Sequence, residues 1–427
     1  MPPVPPFPPP EPIRPPQTPW PAPPPGGTGV FSAPAVPRPP TAPDRELVEA
    51  VRTRLASAGH EPTPAAVVAA LRAEGRVLGE GALPELVGAL RSELAGAGPL
   101  DVLLRDPEVT DVLVNAPDEV WIDRGGGPQR TTVTFADDDA VRRLAQRLAG
   151  SAGRRLDDAS PYVDATLPGG IRLHAVLRPI AVRGTSVSLR VPRRVSLGLA
   201  DLVRAGSLSA GAAELLRAVL AARAAFLISG GTGSGKTTLL GALLGCAHPA
   251  ERLLLVEDSA ELTPRHPHVV RLESRPANVE GAGAVTLRDL VRQALRMRPD
   301  RLVVGEVRGA EVVELLAALN TGHEGGCGTV HANSAQDVPA RLEALGALAG
   351  LGRDAVHSQV AAALDLVVHV VRERDGVRRV AELHVLERGD DGWVRPVSAV
   401  RFEPGGAMRP GPGHRHLVAL LAGWWRG

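Results

Sequence analysis

Lysine is all but missing from this sequence: of 48 basic residues, only Lys236 is not an arginine. A single compact ammonium among planar guanidinium groups marks its position. Lysine can enter a narrow backbone loop around phosphate oxygens where the bulkier fork cannot. Aromatic residues are scarce as well, at 3%, and 47 acidic residues offset the basic ones to leave a formal charge of +1. With neither a basic footprint nor rings to stack on bases, no direct nucleic-acid contact is expected. Two cysteines, Cys246 and Cys327, are too few for a disulfide framework or a four-thiolate zinc site, and read as ordinary thiols in a reducing cytosol. No uncharged apolar run reaches the ~18 residues of a membrane helix, and the N-terminus lacks the pattern of a signal peptide. A cytoplasmic chain with no transmembrane segment is expected, able to meet a membrane only peripherally.

Proline is abundant and unevenly placed. Residues 1–43 form a proline-dominated stretch that cannot bury a core and reads as a disordered tail. The remaining length exceeds a single core and predicts two folded domains. A helical lead-in is expected over 44–95, from Leu47, Val51 and Leu55 at four-residue spacing and from Thr63-Pro64 opening a helix that carries Val67, Val68 and Leu71. Short alternating segments around Val112–Val114, Val120–Ile122 and Ser186–Leu189 predict a mixed α/β domain over 96–195. From 196 to 405, apolar runs at Phe226–Ile228, Leu253–Val256, Leu302–Val304 and Gly328–Val330 alternate with amphipathic helices, the pattern of a parallel, doubly wound sheet. Thr286 with Asp289 and Ser334 with Asp337 read as capping boxes at helix starts. A hairpin is expected from Leu366–Val371 and Val380–Leu386 about Arg374-Asp375-Gly376, and 406–427 is set apart as a C-terminal tail.

Gly230-Gly231-Thr232-Gly233-Ser234-Gly235-Lys236-Thr237 is a complete Walker A pattern, with an apolar strand before it and a leucine-rich helix, Thr238 to Cys246, after it. Glycines let successive N–H groups curl around phosphates and the helix start adds its positive end. Lys236 reaches the β- and γ-phosphates of ATP, Thr237 ligates Mg²⁺, and Thr238 continues the cradle. Such a loop needs a carboxylate from a second strand end for magnesium and water. Glu306, closing Leu302–Gly305, is the candidate. Leu253–Val256 runs into Glu257, Asp258 and, one turn beyond Glu257, Glu261; one of these should polarise the attacking water, although strand-end carboxylates also serve as helix caps. His331 closes a further strand, at the sheet edge where open α/β folds bind ligands. His323 and His331 lie eight residues apart with no partner at metal spacing, so a zinc site is not expected.

These strings resemble one family. Arg275–Gly281, Leu295–Glu311 and Asn320–His323, together with Gly98-Pro99-Leu100 and Arg154–Pro161, are similar to the type II/type IV secretion ATPase superfamily over roughly residues 96–390. The nearest branch is the tight-adherence pilus ATPase. The resemblance implies a sensor-like N-terminal α/β domain, a RecA-like P-loop NTPase domain and a homo-hexamer that powers pilus assembly or secretion from a membrane platform protein. It places Glu257 to Glu261 in the aspartate box, Glu306 in an atypical Walker B, and His323 and His331 in the histidine box. It also implies that Arg172 and Arg190 of the first domain reach the phosphates, where guanidinium neutralises charge building on a transferring phosphoryl group. Two departures matter. Gly326-Cys327-Gly328 replaces a more hydroxyl-rich stretch, and the four-cysteine module of the general secretion ATPases is missing, which favours the tight-adherence branch. The alternatives are a conjugation or nucleic-acid-transfer motor, and a nucleotide-binding scaffold without turnover.

Overall fold

The computed structural model describes residues 45–58, 62–74, 83–192, 196–275, 277, 281–322, 324–373 and 376–424. The proline-rich stretch, His323 and Arg374-Asp375 lie outside them.

The lead-in forms three helices, Arg45–Ser57, Pro64–Ala73 and Leu83–Ala95. Thr63 caps the second by accepting the Ala66 N–H at 3.3 Å, and Pro64 occupies its first turn, where a missing N–H costs nothing. Leu47, Val51, Leu55, Val67, Leu71, Val87 and Leu90 bury together as a small separate core.

A six-stranded antiparallel sheet follows. Its strands are β1 (Asp111–Ala116), β2 (Glu119–Asp123), β3 (Pro128–Arg130), β4 (Tyr162–Thr166), β5 (Arg172–Val176) and β6 (Ser186–Arg190), in the order β3-β2-β1-β6-β5-β4. One face is buried, as the alternation in β1 requires. Val112, Val114, Leu173, Ala175, Val187 and Leu189 meet Val141, Leu144 and Leu148 of helix Asp138–Ser151.

The second sheet has nine strands: β7 (Phe226–Gly230), β8 (Leu253–Glu257), β9 (Val269–Glu273), β10 (Arg301–Val307), β11 (Cys327–His331), β12 (Leu366–Arg372), β13 (Arg378–Arg388), β14 (Val394–Phe402) and β15 (Met408–Pro410). Their order is β15-β14-β13-β12-β7-β11-β10-β8-β9. From β12 to β9 all neighbours are parallel, and β13 to β15 extend the sheet antiparallel. The parallel strands are unbroken apolar runs because both faces are covered. In β8, Leu253 and Leu255 enter one helical layer, and Leu254 and Val256 the other. This is the α/β, RecA-like architecture expected, with a smaller α/β sheet ahead of it.

Four local expectations change. The helix after the glycine-rich loop spans Lys236–Leu244, so Lys236 and Thr237 open it and Cys246 lies beyond it. Ser334 and Asp337 do bond, Oγ to Oδ2 at 2.7 Å, but they close a turn before the helix, which begins at Val338 with Pro339 in its first turn. Residues 406–424 are not a tail: β15 completes the sheet, and helix His414–Leu420 with the residue that follows it buries Leu417 and Leu421 in the same core as the glycine-loop helix. Glu261 does not sit a helical turn beyond Glu257, because 258–262 is an irregular loop.

Candidate active site

The carboxyl ends of β7, β8, β10 and β11 line up on one edge of the nine-stranded sheet, and His331 stands opposite Gly230 in the β11–β7 register. Parallel strands bring these ends together and leave a crevice beyond them. Between that edge and the first sheet lies a cavity of about 590 Å³. Its walls include Thr232, Gly233, Ser234, Gly235, Lys236, Thr237 and Thr238, together with Glu261, Glu306 and His331, and, from the opposite sheet, Arg172 and Arg190. The two arginines come side by side because they are register partners across β5 and β6. Gly230 and Gly231, which begin the loop, are not among the residues that line the cavity.

The loop is curled as a phosphate cradle. Gly233 and Gly235 take φ of +69° and +97°, a region that favours glycine. At Gly230 an added Cβ would come within 2.4 Å of the Val370 carbonyl oxygen, so no larger residue fits there. The Lys236 ammonium donates to the Gly230 and Gly231 carbonyls, each at 3.0 Å. Burial pulls its pKa below the usual lysine range, and nearby Glu306 opposes that shift.

Glu306 is aimed by an irregularity in β10. Val304 pairs with Gly328 and Val307 with Val330, so Gly305-Glu306 contain one residue more than the partner strand. Such a bulge re-aims a side chain. Gly305 is required by a neighbour: a Cβ there would meet Glu257 Cγ at 2.7 Å. Burial pushes the Glu306 carboxyl upward, but the hydrogen bond from Arg308 at 2.6 Å and the charges of Arg308, Lys236 and His331 outweigh it and hold the pKa below the usual value. An ionised carboxylate and the Thr237 hydroxyl supply the hard oxygen donors that Mg²⁺ prefers, so the residues present fit that ion.

Glu257 does something different. It is buried, and its Oε1 accepts the N–H groups of Glu261 at 3.1 Å and Leu262 at 2.9 Å. Burial raises its pKa to about 7, against those two N–H bonds. It folds the loop that presents Glu261, whose Oε1 lies 3.8 Å from Arg172 Nη1. Asp258 lies 3.8 Å from Arg308 Nη1, outside the cavity lining. At the altered Gly326–Gly328 stretch, the Cys327 thiol is fully buried and pushed up to about 12 by desolvation, while a Cβ on Gly328 would meet the Val304 carbonyl at 2.8 Å. Gly326–Gly328 therefore offer the site no polar side chain.

The cavity also holds residues that sequence reasoning did not single out for a role. Arg308, Arg372, Arg378 and Arg379 line it, as do Asp111 and Asp123 of the first sheet. Leu197, Leu202, Leu208 and Val380, which pack in the same core as the loop helix, add apolar wall.

A strand, a glycine cradle on a helix start and carboxylates at the neighbouring strand ends define a P-loop ATPase. The chain belongs to the type II/IV secretion system protein family, whose profile matches residues 93–399. The Mycobacterium tuberculosis protein Rv3659c, named as a candidate conjugal transfer protein, is 60% identical over 322 residues, 74% of this chain and 91% of that one. The conjugal transfer protein TrbB of Rhizobium radiobacter is 34% identical over 314 residues, 71% of this chain and 91% of its own length. Among solved structures, the VirB11 ATPase of the Brucella suis type IV secretion system is 28% identical, covering 67% of this chain and 95% of that one at a TM-score of 0.36. Among the described residues, no helix is long and apolar enough to cross a membrane.

Proposed function

We propose that this ATPase is the hexameric motor of a pilus or secretion machine, of the tight-adherence type, acting at the inner face of the cytoplasmic membrane on a platform protein. One observation carries the reading: the cavity is walled by the P-loop on one sheet and by Arg172 and Arg190 on the other. A site divided in this way makes turnover depend on how the two parts are docked, which is the coupling a motor needs. In this scheme residues 96–195 are the sensor-like domain, and the ATPase domain begins near 196 and runs past 405 to include β15 and the last helix.

Each residue then has a role. The loop amides and Lys236 hold the phosphates of ATP. Thr237 and Glu306 would hold Mg²⁺, which when bound neutralises charge on the phosphoryl oxygens. Glu261 accepts the proton of the attacking water, and His331 flanks the γ-phosphate end. Arg172 and Arg190 stabilise the charge that develops during transfer. The apolar wall at Leu202 and Val380 takes the base.

If the ring completes the site, turnover per subunit rises with protein concentration as hexamers form. Specific activity that is flat from the monomeric to the oligomeric range contradicts this. The names of Rv3659c and TrbB favour a second reading, a motor for conjugal transfer. Stimulation of turnover by DNA would support that reading; turnover indifferent to DNA but raised by membrane fractions would support the first.

A further inference from the structure

In a phosphate loop the N–H groups point inward, so the carbonyls point outward and need partners of their own. Three of them are held here by cationic donors. Lys236 holds those of Gly230 and Gly231. The third, that of Gly233 at the loop tip, accepts from Arg378 Nε at 2.8 Å. The first two bonds are the ones Lys236 gives up when its ammonium turns to phosphate oxygens. The bond from Arg378, which also lines the cavity, comes from a different strand and not from the loop itself.

Arg378 opens β13, with Val380 two residues on buried in the core. Its stem lies along the loop: a Cβ on Gly235 would stand 3.4 Å from Arg378 Cδ. Directly across the β12–β13 ladder is Arg372. Its Nη1 would stand 3.7 Å from a Cβ on Gly233, and its Nη2 donates to the Gly125 carbonyl at 3.4 Å. Gly125 belongs to the turn after β2 that Asp123 closes by accepting the Gly127 N–H at 3.0 Å. The root of the β12–β13 hairpin therefore packs between the loop tip and the first sheet.

We propose that Arg378 is a positioning residue that keeps the phosphate loop curled by holding the Gly233 carbonyl, and so presets its affinity for any nucleoside polyphosphate. This rests on the loop being the ATP site. Without Arg378 the loop must be ordered by the nucleotide itself. That cost falls on ground-state binding, equally for di- and triphosphate, and leaves the chemical step little changed.

The test measures ATP and ADP dissociation constants for the full chain with a fluorescent nucleotide analogue, alongside kcat and KM, for wild type, Arg378→Ala, Arg378→Lys and Lys236→Ala. Arg378→Ala is expected to weaken ATP and ADP alike by about tenfold, equivalent to ~1.4 kcal/mol, with the loss in KM rather than kcat. Arg378→Lys, which keeps a donor within reach of the Gly233 carbonyl, is expected to recover most of it. Loss of ATP affinity with ADP unaffected would overturn the proposal by making Arg378 a γ-phosphate ligand. Unchanged affinities with a lower melting temperature would overturn it by making the contact merely structural. Normal binding by Lys236→Ala would sink the ATP-site reading itself, whereas a defect in Lys236→Ala with normal Arg378→Ala sinks only this inference.

Discussion

Replacing Glu257 by glutamine separates shape from charge at the most buried carboxyl beside the cavity. Glu257 is 4% exposed, and its Oε2 has no hydrogen-bond partner. Burial raises its pKa from 4.5 to about 7. At 1.36 kcal/mol per pH unit, that rise is worth roughly 3 kcal/mol. The folded protein binds this proton more tightly than the unfolded chain does. The stabilisation is thus fully present below pH ~4.5 and is lost as pH rises through about 7. Glutamine keeps an oxygen to accept the Glu261 and Leu262 N–H groups but never ionises. Its buried amide adds a cost that does not vary with pH, so the pH dependence of the difference isolates the charge. The assay is denaturant unfolding of both proteins from pH 5 to 8.5. The free-energy difference, Glu257→Gln minus wild type, is expected to move in favour of the variant by about 2–3 kcal/mol across that range. A difference constant with pH would refute the account of Glu257 as a carboxyl whose burial disfavours its charge.

Glu306→Gln is expected to keep nucleotide binding and lose hydrolysis, because the amide preserves shape but not the charge that organises magnesium and water; equilibrium binding beside a phosphate-release assay checks it. Gly305→Ala places a Cβ 2.7 Å from Glu257 Cγ and should lower stability by about 1–3 kcal/mol together with kcat, since the bulge that aims Glu306 must shift. Leu417→Ala empties a fully buried position in the last helix and should cost about 2–5 kcal/mol in unfolding free energy, where a true tail residue would cost almost nothing.

Contiguous features were legible in the sequence and long-range ones were not. The cradle could be read because its glycines, lysine and threonine are consecutive and their chemistry is local. The strand ends carrying Glu306 and His331 followed from apolar runs that parallel strands must have. The bulge at Gly305 could not be read, because what forbids a side chain there is Glu257, on a different strand. Arg172 and Arg190 came from family resemblance alone. One arginine among 47 carries no signal, which is also why Arg378 and Arg372 went unnoticed. The Ser334–Asp337 pair shows the opposite failure: the local bond forms as its pattern suggests, but Pro339 sets where the helix begins. Residues past 405 look like a tail because glycine and proline surround them, yet Leu417 and Leu421, four residues apart, supply one turn of apolar face that the core takes up.

The divided site is tested most directly by one comparison at saturating protein concentration: ATP affinity and single-turnover hydrolysis of wild type and Arg190→Ala. A group that acts on the transition state contributes more there than in the ground state. The variant is expected to bind ATP within about tenfold of wild type while its hydrolysis falls at least about a hundredfold. An Arg190→Ala enzyme that hydrolyses ATP at the wild-type rate would contradict the account and confine catalysis to the nine-stranded sheet.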